Sequence, residues 1–200
     1  MKKIFLMMAF VAMTLGAAAQ ENSFNVKGGV GLSSLQDLSG VTYKLNWKVG
    51  AGYEFRLNDL IGIEPSLMVN SKGFKTDYEG DAKNKTINAL YVEVPVMCNF
   101  HINDNWELGA GLYAAYLVND NYKDMESGNV SVSYGGISVD MDYEVETKPN
   151  KADFGAYAVA KYNFENGLFV GLDYSYGFND AAKYIPGKNT TFGALVGFRF

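Results

Sequence analysis

Cysteine is almost absent from this chain. Cys98 is alone among 200 residues, so no internal disulfide can form. It also lies far from the N-terminal leader, which excludes an anchoring role of the lipoprotein kind. Proline is scarce at 4, and histidine occurs once, as His101. Basic residues number 17 against 22 acidic ones, for a formal charge of −5. A chain so short of positive charge has no electrostatic footprint for nucleic acid. Beyond the leader no stretch approaches 18 consecutive apolar residues, so no spanning helix is expected. Walker loops, CxxC pairs and zinc-ligand clusters are missing too. The glycines of Gly29-Val30-Gly31 sit in a strand pattern with no helix after them, so they do not make a dinucleotide site. No cofactor and no metal are expected.

What is present is aromatic and small: Tyr 14, Phe 13 and Gly 22. Such a composition favours strands and close backbone approach. The first residues read as a secretory signal peptide, 1–19. Lys2-Lys3 supply the charged region, Ile4 to Leu15 the apolar one, and Ala17-Ala18-Ala19 a cleavage site near Ala19/Gln20. Residues 20–200 then form one exported domain.

Past residue 23 a period of two runs almost everywhere, and helical periodicity is lacking. Eight strands are predicted: Phe24–Ser33, Leu45–Arg56, Leu60–Ser71, Leu90–His101, Asn105–Val118, Asp153–Glu165, Gly167–Phe178 and Thr191–Phe200. Each is about the 9–11 residues that a tilted membrane strand needs. The connections alternate. Short turns fall at Asn58-Asp59, Asn103-Asp104 and Asn166-Gly167, the last a two-residue hairpin signal. Long loops fall at 34–44, 72–89, 119–152 and 179–190. An up-and-down antiparallel barrel with its short turns in the periplasm has this rhythm. An even strand count then leaves both termini periplasmic.

Sorting each strand by phase separates two chemistries. One phase is apolar or aromatic without a charge, as in Leu45, Trp47, Val49, Ala51, Tyr53 and Phe55. The other carries glycine and ten charges: Lys27, Lys48, Arg56, Lys161 and Arg199 against Glu54, Glu64, Glu93, Glu107 and Asp173. A charge facing hydrocarbon at mid-depth costs roughly 2–4 kcal/mol for Arg or Lys, so a clean phase is what a lipid-facing wall requires. Five against five implies a paired interior network, since unpaired buried charge is costly. A soluble barrel with its apolar face inside is the rival reading. Aromatics gathered at the strand ends in two girdles (Phe55, Phe100, Trp106, Tyr162 and Phe164; Trp47, Tyr116, Phe154 and Tyr176) and glycines in the polar phase favour the membrane barrel.

YVEVPVMCNF (Tyr91–Phe100) resembles a strand of the outer-membrane β-barrel proteins of Bacteroidetes, of the PorT-like type. IGIEPSLMVNSKGFK, LGAGLYAAYLV, DFGAYAVAKYNF and GLDYSYGF fall in the same order as in that family, over essentially the whole mature chain. The resemblance implies an eight-stranded barrel inserted by the barrel-assembly machinery, some of whose relatives serve a secretion system. Glu93 and Pro95 hold the E-x-P positions, and the proline is expected to mark a bulge. FGALVGFRF (Phe192–Phe200) reads as the closing strand, paired with Phe24–Ser33. Phe198 and Phe200 resemble the terminal assembly signal of such barrels.

Two further stretches invite chemistry. His101 falls beside a short turn in the interior phase, far from where a lipid-modifying enzyme would work, so it is read as a hydrogen-bonding residue and no catalysis is expected. VSVSYGGISVDMDYEVE (Val130–Glu146) is a hairpin candidate turning at Gly135-Gly136, with Asp140, Asp142, Glu144 and Glu146 along one side. Alternate strand residues lie about 6.6–7 Å apart, too far to share one calcium ion. These arms could also be two more wall strands, so ten stands as the alternative to eight. The expectation is therefore a monomeric outer-membrane barrel of structural or surface-interaction type, with a plugged interior, lipid around it and loops free for a partner. A secretion component is the alternative, with a small channel or lipid-modifying enzyme ranking below it.

Overall fold

Strands with one lipid-soluble face and one charged face can satisfy their backbone in a membrane only by closing on themselves. The computed structural model does this, and it describes residues 22–76, 85–122, 127–134, 137–144, 148–183 and 185–200. The signal-peptide stretch 1–19, the Gly135-Gly136 turn and Glu146 lie outside the described residues. In chain order the strands are β1 (Ser23–Gln36), β2 (Val41–Thr42), β3 (Lys44–Arg56), β4 (Ile61–Thr76), β5 (Thr86–His101) and β6 (Trp106–Asp120). They continue with β7 (Ser127–Tyr134), β8 (Ile137–Glu144), β9 (Lys148–Pro149), β10 (Ala152–Asn163), β11 (Leu168–Lys183) and β12 (Ile185–Arg199).

Eight of these make the wall: β1, β3, β4, β5, β6, β10, β11 and β12, each antiparallel to the next. β1 pairs with β12 from Asn25↔Arg199 to Gln36↔Lys188, which closes the cylinder with the pairing expected of FGALVGFRF. The hairpin β7–β8 forms its own two-stranded sheet, Ser127↔Glu144 to Tyr134↔Ile137. The wall therefore has eight strands and not ten.

The faces divide as the phase predicts. Val30, Trp47, Leu67, Leu112, Leu172 and Val196 are exposed on the outside, whereas the charged phase is buried inside. That ordering rules out the soluble-barrel reading. Ring pairs form at both ends of the wall: Trp106–Tyr162, Tyr162–Phe164 and Phe198–Phe200 near the short turns, Phe154–Phe178 and Tyr176–Phe178 near the long loops. Phe55 departs from the expected girdle. It is only 6% exposed and packs its ring against Tyr53.

All three short turns use asparagine in the same way. The Asn58 side chain accepts from the Leu60 and Ile61 amides, Asn103 from Asn105 and Trp106, and Asn166 from Leu168. An asparagine bonding backbone two or three residues ahead folds the chain back locally. The third turn is not the two-residue hairpin that Asn166-Gly167 suggests. Gly167 donates to the Phe164 carbonyl and Phe164 to that of Leu168, with Gly167 at φ 86°, a three-residue loop ending in a left-handed glycine.

Strands outrun their predicted ends at the long-loop side. β4 continues to Thr76 and β5 starts at Thr86, inside the expected loop 72–89; β11 reaches Lys183 and β12 starts at Ile185, inside 179–190. β1 runs on to Gln36 and β6 to Asp120, trimming loops 34–44 and 119–152. The cause is an inversion of polarity. Toward the long-loop end the inward side chains turn apolar (Leu35, Phe74, Ile87, Ala89, Leu117) while outward ones turn polar (Lys75, Asn88, Lys183). A second hydrophobic core therefore holds the strands together where lipid no longer does. Pro95 marks no bulge: its pairing with β6 keeps register, and the shift in that ladder lies at Leu90/Tyr91. Opposite β4 the pairing steps from Pro65↔Val96 to Met68↔Glu93 in unchanged register, so Pro95 thins the ladder without displacing it.

Leu112 is 63% exposed on the outer wall. Replacing it with Lys is expected to destabilise the folded barrel by roughly 2–4 kcal/mol, as measured by denaturant unfolding in lipid vesicles. An unchanged midpoint would place this face outside the hydrocarbon.

Candidate functional site: the barrel interior

An eight-stranded barrel encloses a space just wide enough for side chains. A charge on the inward phase is consequently costly unless it finds a partner inside. All ten charges named from the sequence point into this space, and the structure sorts them into tiers.

Nearest the short turns, Glu54 and Glu107 share Arg199, whose Nη2 lies 3.2 Å from the first and 2.7 Å from the second. Glu107 also meets Lys161 at 2.6 Å, directly across the β6–β10 ladder. Lys161 bridges onward to Glu64 at 2.9 Å, and Glu64 pairs with Lys27. Asn99 and Ser66 donate to the two Glu64 oxygens at 2.9 and 3.0 Å, so this buried carboxylate is satisfied on both sides. Glycine makes the room. A Cβ on Gly62 would overlap the Glu54 carboxylate, and one on Gly52 would stand 2.8 Å from Glu64 Oε1.

Arg56 belongs to the same tier through His101. Arginine can only donate, so its contact to His101 Nδ1 at 3.0 Å leaves Nε2 carrying the ring proton, which is donated to Glu54 Oε1 at 2.6 Å. The ligand atoms of Glu54, His101 and Glu107 lie within 4.8 Å of one another, a spacing a cation could use. The Arg199 guanidinium already supplies positive charge between the two carboxylates.

At mid-height Lys48 pairs with Asp173, which also accepts from the Tyr157 hydroxyl at 3.0 Å. A small apolar cluster of Met97, Val159, Phe169 and Leu195 shares the interior with these groups. One internal cavity bordered by Lys27, Glu64, Tyr157 and Lys161 measures about 10 Å³, at most the room of a single water.

The uppermost tier contains residues that strand-by-strand sorting missed. Lys72, assigned to a loop from the sequence, is wholly buried and pairs with Glu93 at 2.7 Å and Asp153 at 3.0 Å. Its ammonium lies 4.0 Å from the centre of the Tyr113 ring, a cation–π contact in a dry site. Tyr113 and Asn189 also donate to Asp153. Lys44 is buried nearby and donates to the Lys72 carbonyl at 3.0 Å. Continuing the period of two past Ser71, and back by one residue in β3, would have put Lys72 and Lys44 inside. Above them Phe74, Ile87, Tyr91, Tyr122 and their neighbours cap the interior.

Phe198 and Phe200, the expected assembly signal, stand outside this network. Their rings are 5.0 Å apart, and Phe200 meets Phe24 at 6.0 Å on the outer face of the seam. Of the acidic row on the long loop, Asp140 pairs in register with Ser131, Asp142 with Asn129 and Glu144 with Ser127.

The outer membrane protein beta-barrel domain model matches residues 18–183 of the chain. No curated protein matches it. Among solved structures it is similar to Neisserial surface protein A, at 10% identity and a TM-score of 0.51, over 90% of this chain and 97% of that one. It is also similar to Ail, the attachment invasion locus protein of Yersinia pestis (19% identity, TM-score 0.44, 90% and 100% covered). A third is OprG from Pseudomonas aeruginosa (9% identity, TM-score 0.48, 92% and 98% covered). The likeness to Neisserial surface protein A, at such low identity, is one of fold.

Replacing Glu93 with Leu leaves Lys72 one counter-charge short, and Lys72→Met leaves Glu93 and Asp153 facing each other unpaired. Each single change is expected to cost about 3–5 kcal/mol. The double variant should lose less than the sum. Thermal unfolding in detergent, followed by gel mobility, measures all three; additive losses would show that Glu93 and Lys72 act independently.

Proposed function

The chain belongs to the outer membrane protein beta-barrel domain family, and from that premise we propose a non-enzymatic barrel of structural or surface-interaction type, its interior closed to solutes and its long loops meeting a partner or ligand. The observation that carries this reading is the tiered interior. Ion pairs, an apolar cluster and an aromatic cap follow one another along the axis, and the cavity among them is about 10 Å³. A pore for hydrated solutes needs a continuous wet path, so this packing supports a closed interior.

The protein sits in the bacterial outer membrane, surrounded by lipid. In the proposed orientation the three asparagine turns and both termini face the periplasm, and the loops carrying β7–β8 face outward. The alternation of short and long connections supports this, since barrels of this class keep short turns on the periplasmic side. The separate β7–β8 sheet supports a contact role for the loops, because its strands pair with each other and not with the wall. A catalytic role is not proposed: His101 lies at the short-turn end, and its partners are Arg56 and the carboxylates of Glu54 and Glu107. A single chain closes the wall, which supports a monomer. Phe198 and Phe200, clustered with Phe24 at the seam, fit a signal read by the barrel-assembly machinery.

A second, finer reading places the chain among the PorT-like barrels of Bacteroidetes, with a part in a secretion assembly. YVEVPVMCNF supports it, and within that stretch Glu93 is committed to Lys72 inside the barrel, so partner contact would fall to the loops.

Planar bilayers loaded with the purified protein should show no steady openings; sizeable, sustained conductance would overturn the closed interior. Affinity capture from membranes separates the two readings, because consistent recovery of secretion components would favour the second.

A further inference from the structure

At the short-turn end the barrel floor holds a cavity of about 390 Å³, lined among others by Arg56, Arg199, Asp104 and Glu165. That volume lies within the range of small-molecule sites. It is at the opposite end from the long loops and so is distinct from the surface proposed above for partner contact.

The charges around it are not spent on one another. Among the described residues no carboxylate lies within ion-pair distance of Arg56, whose Nη2 is held from behind by His101 and, through that ring, by Glu54. An anchored guanidinium with free N–H groups is a ready-made donor site for a carboxylate or similar planar anion. Arg199 turns Nη2 inward to Glu54 and Glu107, and its side chain stays partly exposed at the cavity. Two guanidiniums thus line one cavity, and Arg56 is the one with donors to spare. Asp104 and Glu165, exposed on two of the asparagine turns, add carboxylates to the same lining. A simple anion would be repelled by these carboxylates, and a simple cation by the arginines. A molecule carrying both charges satisfies each group.

We propose that this cavity binds a small zwitterion of amino-acid or short-peptide size, its carboxylate on Arg56 and Arg199 and its ammonium on Asp104 and Glu165. The arginines line the inner, half-buried side of the cavity, and the acidic groups stand on the exposed turns at its rim.

Titration of the full chain, folded in detergent, with alanyl-alanine by calorimetry or amide NMR tests the site. Saturable binding is expected, weakened about tenfold or more when the dipeptide is amidated at its C-terminus or when Arg56 is replaced by Gln. N-acetylation of the dipeptide, or the pair Asp104→Asn and Glu165→Gln on the exposed turns, should weaken it too. The modified dipeptides probe the unaltered protein, so the result does not depend on how well the Arg56 variant folds. Absence of saturation, or equal binding of the amidated dipeptide, would overturn the proposal. So would equal binding of the acetylated form, which would reduce the cavity to an anion site.

Discussion

One constraint orders the whole molecule: a wall that faces hydrocarbon cannot show a charge, and the space it encloses is too narrow to hydrate one. Within the wall the ionic side chains are pushed inward, where most meet an opposite charge, while Arg56 meets His101 and Lys44 a carbonyl. The price of burial is why the interior is a set of linked pairs and not a scatter of lysines and glutamates. Glu64, gripped by Lys27, Lys161, Asn99 and Ser66, is the fullest expression of it. Glycine belongs to the same logic, since Gly52 and Gly62 vacate the volume that the neighbouring carboxylates occupy.

The interior is layered accordingly. Carboxylates and guanidiniums dominate near the short turns, apolar side chains share the middle with Lys48 and Asp173, and Lys72 lies under an aromatic roof. This grading matches what each level borders. Arg56 and Arg199, lining the cavity at the floor, retain partial access to solvent, whereas Lys72 has none and leans on two carboxylates and a tyrosine ring. Hydrogen-bonded networks in such dry surroundings are rigid when complete, and the rigidity of this one is available to whatever the loops carry.

Much of this was legible in the sequence because a strand in a membrane wall has a strict period of two, and lipid enforces it. The eight wall strands, their closure through β1 and β12, and the inward direction of ten charges all follow from that rule. Legibility failed where lipid stops. Beyond Ser71 and before Leu90 the outward residues become polar and the inward ones apolar, so a reader following greasy faces sees a loop, and Lys72 is lost with it. Asp153 was seen as the first residue of a strand, yet nothing local told that its partner was a lysine 81 residues away. Pairing between tiers was likewise invisible, because phase gives direction and says nothing about height along the axis.

Arg199 carries a consequence for assembly. It lies on β12, the final wall strand, and serves Glu54 on β3 and Glu107 on β6, strands made much earlier. A partial sheet of the earlier strands therefore holds two carboxylates whose shared counter-charge has not arrived. Until then Glu107 has Lys161 and Glu54 has His101, and Arg199 joins them when β12 pairs with β1 across nearly the full length of the chain. Contacts so distant in sequence form late and slowly. Closing the wall and completing this tier of ion pairs are thus the work of the same strand.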